Sequence, residues 1–278
     1  MAGKTCIVTG ANSGIGRETA LGLAKEGAKL IMLARSKQKG DEARKYIISA
    51  SNTQVDLMLC DLSSMTEVRR FAREFSTNYD RLDVLINNAG AVFSKRDVTP
   101  EGFEMTFAVN YLAPFLLTHE LLPILKSSAP SRIINLTSGL HSRARIDLDD
   151  LQSKRKYKGM DAYQTSKLMD LLFTYKLARE LQGTGVSVNV VSPGFVATNL
   201  GSSSGSRMSK IMFGMMKPFQ LSPAEGAETS IYVATSSELE GVTGRHFAKC
   251  QDKDTSDESY DTDLQDELWN RTIEILGL

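Results

Sequence analysis

Tyr163 and Lys167 stand four residues apart, with Ser138 and Asn110 upstream, in a chain that opens with Thr9-Gly10-Ala11-Asn12-Ser13-Gly14-Ile15-Gly16. A phenol is a poor base at neutral pH, its ordinary pKa being near 10. On a helix, a lysine one turn further on shares the tyrosine's face, and its charge favours the phenolate. Bringing a phenol's pKa down to neutrality takes about 4 kcal/mol, which an adjacent ammonium can supply with the help of a second positive group, such as an oxidised nicotinamide ring. Tyr163 would then take a proton from an alcohol in oxidation and return it to a carbonyl in reduction. Ser138 would hydrogen-bond the substrate oxygen and hold it in line. Each of these residues alone has an ordinary reading. A Tyr-x-x-x-Lys pair is usually a surface pair, Ser138 could simply end a strand, and Asn110 could cap or turn a helix. The ordered set reads as one proton-transfer site.

The glycines at 10, 14 and 16 follow a short apolar run and precede an amphipathic stretch. That is where a backbone must approach a pyrophosphate without side chains in the way, with a helix N-terminus aimed at the anion. The spacing is G-x-x-x-G-x-G rather than G-x-G-x-x-G. The second strand ends Leu33-Ala34-Arg35-Ser36-Lys37, with a guanidinium where a carboxylate would hold a ribose 2′-hydroxyl. Arg35 suits a 2′-phosphate, so NADP(H) is favoured over NAD(H).

These groups must be carried by alternating strands and helices. Strands are expected at Thr5–Thr9, Lys29–Leu33, Gln54–Leu59, Val84–Asn87, Arg132–Thr137 and Val186–Val191, with a seventh near Arg245–Ala248. Helices are expected at Ile15–Glu26, Lys37–Ser49, Met65–Asn78, Gly102–Leu125 and Tyr163–Leu181. This is the pattern of a doubly wound α/β structure with a parallel sheet of about seven strands between helices. With no repeat or linker, residues 1–278 read as one domain. Carboxyl ends of neighbouring parallel strands open onto one crevice, so residues following them converge.

Two stretches break the rhythm. Leu200–Gln220, rich in Ser, Gly and Met, reads as a cover over an apolar substrate, or else as a mobile loop or partner-facing helix. Gln251–Glu267 is acidic and reads as a solvated loop before a last helix near 261–276.

Composition narrows the function classes. Lys and Arg total 33 and Asp and Glu total 33, and the basic residues are scattered, which argues against a nucleic-acid partner. Cys6, Cys60 and Cys250 lie far apart, as do His119, His141 and His246, so neither a disulfide framework nor a metal site is expected. No membrane span or signal peptide is expected, and a soluble cytoplasmic enzyme is the default reading.

The chain resembles the short-chain dehydrogenase/reductase family. The matching residues are Thr9–Gly16, Asp61, Asn87-Asn88-Ala89-Gly90, Asn110, Ser138, Tyr163-x-x-x-Lys167 and Pro193-Gly194. Within that family it is most similar to the retinol dehydrogenase branch, through Asp149-Asp150-Leu151-Gln152, Gly183-Thr184-Gly185-Val186 and the long Ser138–Tyr163 interval. It departs from that branch where Ser192 stands before Pro193-Gly194, a place usually held by histidine, and in entering its first strand without the hydrophobic anchor common there. The resemblance implies a Rossmann-type fold and a catalytic set of Asn110, Ser138, Tyr163 and Lys167. Lys167 would also bond the nicotinamide ribose, and Asn110 would hold a water in a proton relay. It implies cofactor contacts from Gly10, Asn12, Ser13, Gly14, Ile15, Gly16, Arg35, Tyr163 and Lys167. Asp61 and Leu62 would meet the adenine, and Asn88, Ala89 and Gly90 the adenosine side. Pro193, Gly194, Val196 and Thr198 would border the nicotinamide.

The expected activity interconverts a hydroxyl and a carbonyl on an apolar small molecule such as a retinoid, steroid or lipid aldehyde. Two alternatives stay open: a redox-sensing NADP-binding module, and a C=C reductase resembling protochlorophyllide reductase. Apolar outer faces on Gly102–Leu125 and Tyr163–Leu181 make a homo-oligomer possible.

Overall fold

A computed structural model describes residues 1–196 and 220–278. Thr198, and the expected cover segment Leu200–Gln220 except its last residue, lie outside the described residues.

Among the described residues, eight strands form one sheet: β1 (Thr5–Thr9), β2 (Lys29–Ala34), β3 (Val55–Leu59), β4 (Val84–Asn87), β5 (Ser131–Leu136), β6 (Val186–Ser192), β7 (His246–Ala248) and β8 (Gln251–Asp252). Their order is β3-β2-β1-β4-β5-β6-β7-β8. Pairing is parallel throughout except for the last pair, where Ala248 faces Gln251 across an antiparallel turn. β1 is buried along its whole length, as expected for a central parallel strand covered on both faces. The strand order reverses between β1 and β4, and a crevice must open above their carboxyl ends.

The α-helices among the described residues are α1 (Gly14–Lys25), α2 (Lys37–Ser51), α3 (Met65–Asn78), α4 (Met105–Phe107), α5 (Ala113–Ser127), α6 (Gly159–Glu180), α7 (Pro223–Thr235) and α8 (Thr262–Leu276). One face of the sheet carries Phe71 and Phe75 of α3, Phe115 and Leu116 of α5, and Leu168 and Leu172 of α6. The other carries Ala20 and Leu23 of α1, Ile47 of α2, and Ala227 and Val233 of α7. Each of these side chains removes apolar area from water at roughly 25 cal/mol per Å².

The expected strands and helices lie within a few residues of the observed ones, with three corrections. Gly102–Leu125 is not one helix. Gly102 has φ +86°, which an α-helix does not allow, and α4 starts only after Glu104 has capped Thr106 and Phe107 through its carboxylate. A π turn at Ala108–Leu112 then joins α4 to α5 and carries Asn110. Gln251–Glu267 is not simply a solvated loop. It holds β8, a 3-10 turn at Asp257–Tyr260 whose Ser259 is buried, and the start of α8. Finally, α7 escaped the sequence reading although Ser222 and Glu225 form a capping box at its start.

α8 lies across α6. Trp269 packs against Phe115 with ring centroids 4.8 Å apart and stacks on Phe173 at 6.0 Å. Lys176 and Arg179 of α6 both pair with Asp266. Part of the apolar surface on α5 and α6 is therefore covered by the chain's own last helix. Among the described residues, Met105–Ser127 is the one helical stretch long and apolar enough to cross a membrane, with mean hydropathy 1.2. Here it is core, since Phe107, Leu112, Phe115, Leu116 and Leu121 are all buried.

Candidate active site

The first turn after β1 is built around Thr9. Its Oγ1 accepts from the backbone N–H groups of Asn88 and Ala89, each at 2.9 Å, and the Asn88 amide donates to the Thr9 carbonyl at 2.7 Å. The loops after β1 and β4 are thus tied across the point where strand order reverses. Gly10 and Gly14 have φ of +66° and +57°, in the left-handed region. Gly16 is required by space instead. A Cβ there would lie 2.3 Å from the Asn88 amide nitrogen and 2.5 Å from the Gly10 carbonyl oxygen. α1 begins without a side-chain cap from Ser13, which leaves its first N–H groups available to an anion.

A cavity of about 570 Å³ opens above this turn. It is lined by Gly10, Asn12, Ser13, Gly14, Ile15 and Gly16, by Arg35, Asp61 and Leu62, and by Asn88, Ala89, Gly90, Tyr163, Lys167 and Pro193. Arg35 is exposed and makes no hydrogen bond or ion pair with the described residues. Asp61 holds its own turn, accepting from Ser63 N at 3.0 Å and Ser63 Oγ at 2.8 Å. Of the expected site residues, Asn110, Ser138, Gly194 and Val196 are not in the lining; Val196 bridges to Leu221, and its side chain and that of Ile15 both crowd Gly226.

The residues expected to carry the proton transfer come from three elements. Ser138 lies two residues beyond the end of β5 and caps the 3-10 turn Gly139–Arg143, its hydroxyl accepting from Leu140 N at 3.3 Å. Tyr163 lies half-buried on α6, with Lys167 Nζ 5.9 Å from its ring centroid. Asn110 Oδ1 accepts from Ala91 N at 2.8 Å, while its Nδ2 donates to Ala91 O and Ser166 Oγ, both at 3.0 Å. A Cβ on Gly90 would stand 3.6 Å from Asn110 Oδ1 and 3.7 Å from Lys167 Nζ, so these three positions converge.

A family model for short chain dehydrogenases matches residues 4–209. The chain belongs to the short-chain dehydrogenase family. It is similar to retinol dehydrogenase 14 of Mus musculus, 41% identical over 291 residues that span 100% of this chain and 87% of that one. Among solved structures, an uncharacterised protein of Mycobacterium paratuberculosis matches with a TM-score of 0.81 at 30% identity, covering 99% of this chain and 94% of its own. The RhlG/NADP active-site complex of Pseudomonas aeruginosa matches at 0.72 and 27% identity, covering 89% and 95%.

As a short-chain dehydrogenase, the chain is an oxidoreductase, and the cradle fits a nicotinamide dinucleotide. Gly16 has no room for a side chain, Gly10 and Gly14 hold positive φ, α1 starts without a side-chain cap, and Arg35 is free of partners among the described residues. The sequence reading missed Phe93, Val92 and Val109, which give the cavity an apolar wall. Their signal was weak, because they lie on an irregular loop and a π turn. It also missed Cys60 in the lining, whose thiol burial pushes up to about 12, so it stays protonated and inert.

Two further features were not anticipated. Lys167 Nζ donates to the Leu136 carbonyl and to the Asp170 carboxylate, each at 2.8 Å. Ser192, where the retinol dehydrogenase branch usually has histidine, finds a histidine in space: His246 Nε2 lies 2.9 Å from its hydroxyl. His141 sits edge-on to His246 at 5.8 Å, and its Nδ1 lies 2.7 Å from the Ser138 carbonyl. Burial lowers the pKa of both imidazoles, against the opposing pull of the carbonyls of Ser138 and Lys253.

Proposed function

We propose that this chain is an NADP(H)-dependent oxidoreductase interconverting an alcohol and a carbonyl on an apolar small molecule, with a retinoid as the leading candidate. One observation carries the reading. A single cavity holds Tyr163 beside Lys167 at one end and the unpaired guanidinium of Arg35 at the other. Arg35 follows β2, where a free cation suits a 2′-phosphate. Bound there, the dinucleotide supplies or accepts the hydride.

The remaining roles belong to the chain. Tyr163 exchanges the proton at the substrate oxygen. Ser138, fixed by its own turn, hydrogen-bonds that oxygen and orients it. Lys167 supplies positive charge beside the phenol and a donor toward the ribose. Asn110, anchored on Ala91 and Ser166, holds the π turn against α6 and keeps a polar path behind Lys167. Phe93, Val92 and Val109 offer apolar contact, which together with the likeness to retinol dehydrogenase 14 supports an extended apolar substrate. Three unpaired cysteines support a reducing, cytoplasmic location.

Turnover of retinal, steroid ketones and simple aldehydes, each with NADPH and NADH, tests this reading. We expect retinal with NADPH to give the highest kcat/KM. Equal use of both cofactors would remove the NADP(H) assignment, and turnover of small aldehydes alone would remove the apolar one.

A further inference from the structure

Lys167 and Asp170 stand three residues apart on α6 and form an ion pair of 2.8 Å with side chains only 6% and 4% exposed. This is the most deeply buried ion pair among the described residues. An ammonium out of water is costly without a counter-charge, and a lone backbone carbonyl such as that of Leu136 supplies only a partial one. An ammonium has three protons to donate. Asp170 and Leu136 take two of them, leaving one for the cavity that Lys167 lines beside Tyr163.

We propose that Asp170 is a positioning residue, whose carboxylate keeps Lys167 charged throughout the working pH range and aims its remaining proton into the cavity. The proposal rests on the functional reading above and adds to it a counter-ion below the site. The groups that face the pair are few. Tyr163 acts on Lys167 from the same helix, and Tyr111, on the π turn, faces Asp170 with its hydroxyl bonded to Thr272 of α8. Burial alone would pull Lys167 toward neutrality, but Asp170, followed by Tyr163, reverses this and holds it above its ordinary 10.5. Burial also raises Asp170 above the ordinary carboxylate range, while Lys167 pulls it down and favours the charged carboxylate.

A packing role for Asp170 and a charge-holding role predict different pH behaviour. Asp170→Asn keeps the size and one acceptor for Nζ but removes the counter-charge. Buried lysines without partners lose up to several pKa units. In the cofactor-free protein labelled with [13Cε]lysine, the Lys167 resonance, assigned by its loss in Lys167→Arg, reports its charge directly. The wild type and Asp170→Glu should show this lysine deprotonating later than the surface lysines. In Asp170→Asn it should deprotonate at least one pH unit earlier, raising its neutral fraction roughly ten-fold at a given pH. In parallel, kcat/KM for alcohol oxidation by Asp170→Asn should gain a descending alkaline limb of roughly ten-fold per pH unit, absent from the wild type and Asp170→Glu.

An Asp170→Asn protein with the wild-type Lys167 titration and pH profile would overturn the proposal. If that variant does not fold, the wild type decides alone. Lys167 titrating with or before the surface lysines would overturn the counter-ion role, and Lys167 titrating after them supports it. Because the resonance needs no turnover, a protein inactive on every carbonyl still answers this question separately.

Discussion

Thr137 donates its side-chain hydroxyl to the main-chain carbonyl of Lys167 at 2.7 Å. Thr137 precedes Ser138 at the end of β5, and Lys167 lies one turn after Tyr163 on α6. The bond therefore fixes the serine-bearing loop against the tyrosine-bearing helix. It is buried, with Thr137 only 3% exposed, so solvent cannot replace it.

Thr137→Val keeps the shape of the side chain and removes the hydroxyl. Unfolding in urea should show a loss of about 1–2 kcal/mol. Because the register of Ser138 against Tyr163 shifts, kcat should fall more than KM rises. A variant with normal kcat would show that the bond serves stability alone.

Tyr163→Phe should lower kcat by ~10²–10⁴, the range expected for loss of a general acid–base group. Only the hydroxyl is removed and the ring still packs, so NADPH binding followed by fluorescence should stay near wild type. Retention of a tenth or more of the wild-type rate would place the proton elsewhere.

Arg35→Asp sets a carboxylate where the unpaired guanidinium stands. The ratio of kcat/KM with NADPH to that with NADH should fall by ~10²-fold or more, for a loss of attraction and gain of repulsion worth about 3 kcal/mol. An unchanged ratio would mean that another group reads the 2′ position.

The parallel layers were legible because β1, β4 and β6 are short apolar runs and α3 has clear helical periodicity, and Met65–Asn78 came out with the observed ends. The glycine turn was legible because its chemistry demands residue types, not only polarity. Asn110 was named without its setting. Its π turn leaves no trace in periodicity, since Ala108 to Leu112 reads as ordinary apolar helix. The Ser192–His246 contact joins residues 54 positions apart in sequence, and only the pairing of β6 with β7 brings them together. Asp170 was readable in principle, three residues after Lys167 on the same face. Nothing in the sequence, however, told a buried partner from a solvated charge.

The histidine pair gives the fold an acid-side sensitivity. His141 and His246 are held below their ordinary 6.5, so the unfolded chain takes up protons first as pH falls. Their contribution is present in full above 6.5 and is lost below it. Between pH 7.5 and 6 the two should therefore lower the stability of the fold as pH falls, whereas protonation of Asp170 works in the opposite direction. Urea midpoints across this range should fall in the wild type and fall less in His246→Gln. A flat profile would mean that both imidazoles accept protons in the folded state.

Hydride exchange at a carbonyl carbon can be followed atom by atom through isotopic transfer from the cofactor. The enzyme is supplied with retinal and NADPH deuterated at C4, with each face labelled in turn, and the product is read by mass spectrometry and NMR. The product should be an alcohol that carries deuterium on the former carbonyl carbon, from one face of the cofactor only. Deuterium on an alkene carbon, or unlabelled retinal after prolonged incubation across the whole aldehyde and ketone panel, would contradict it.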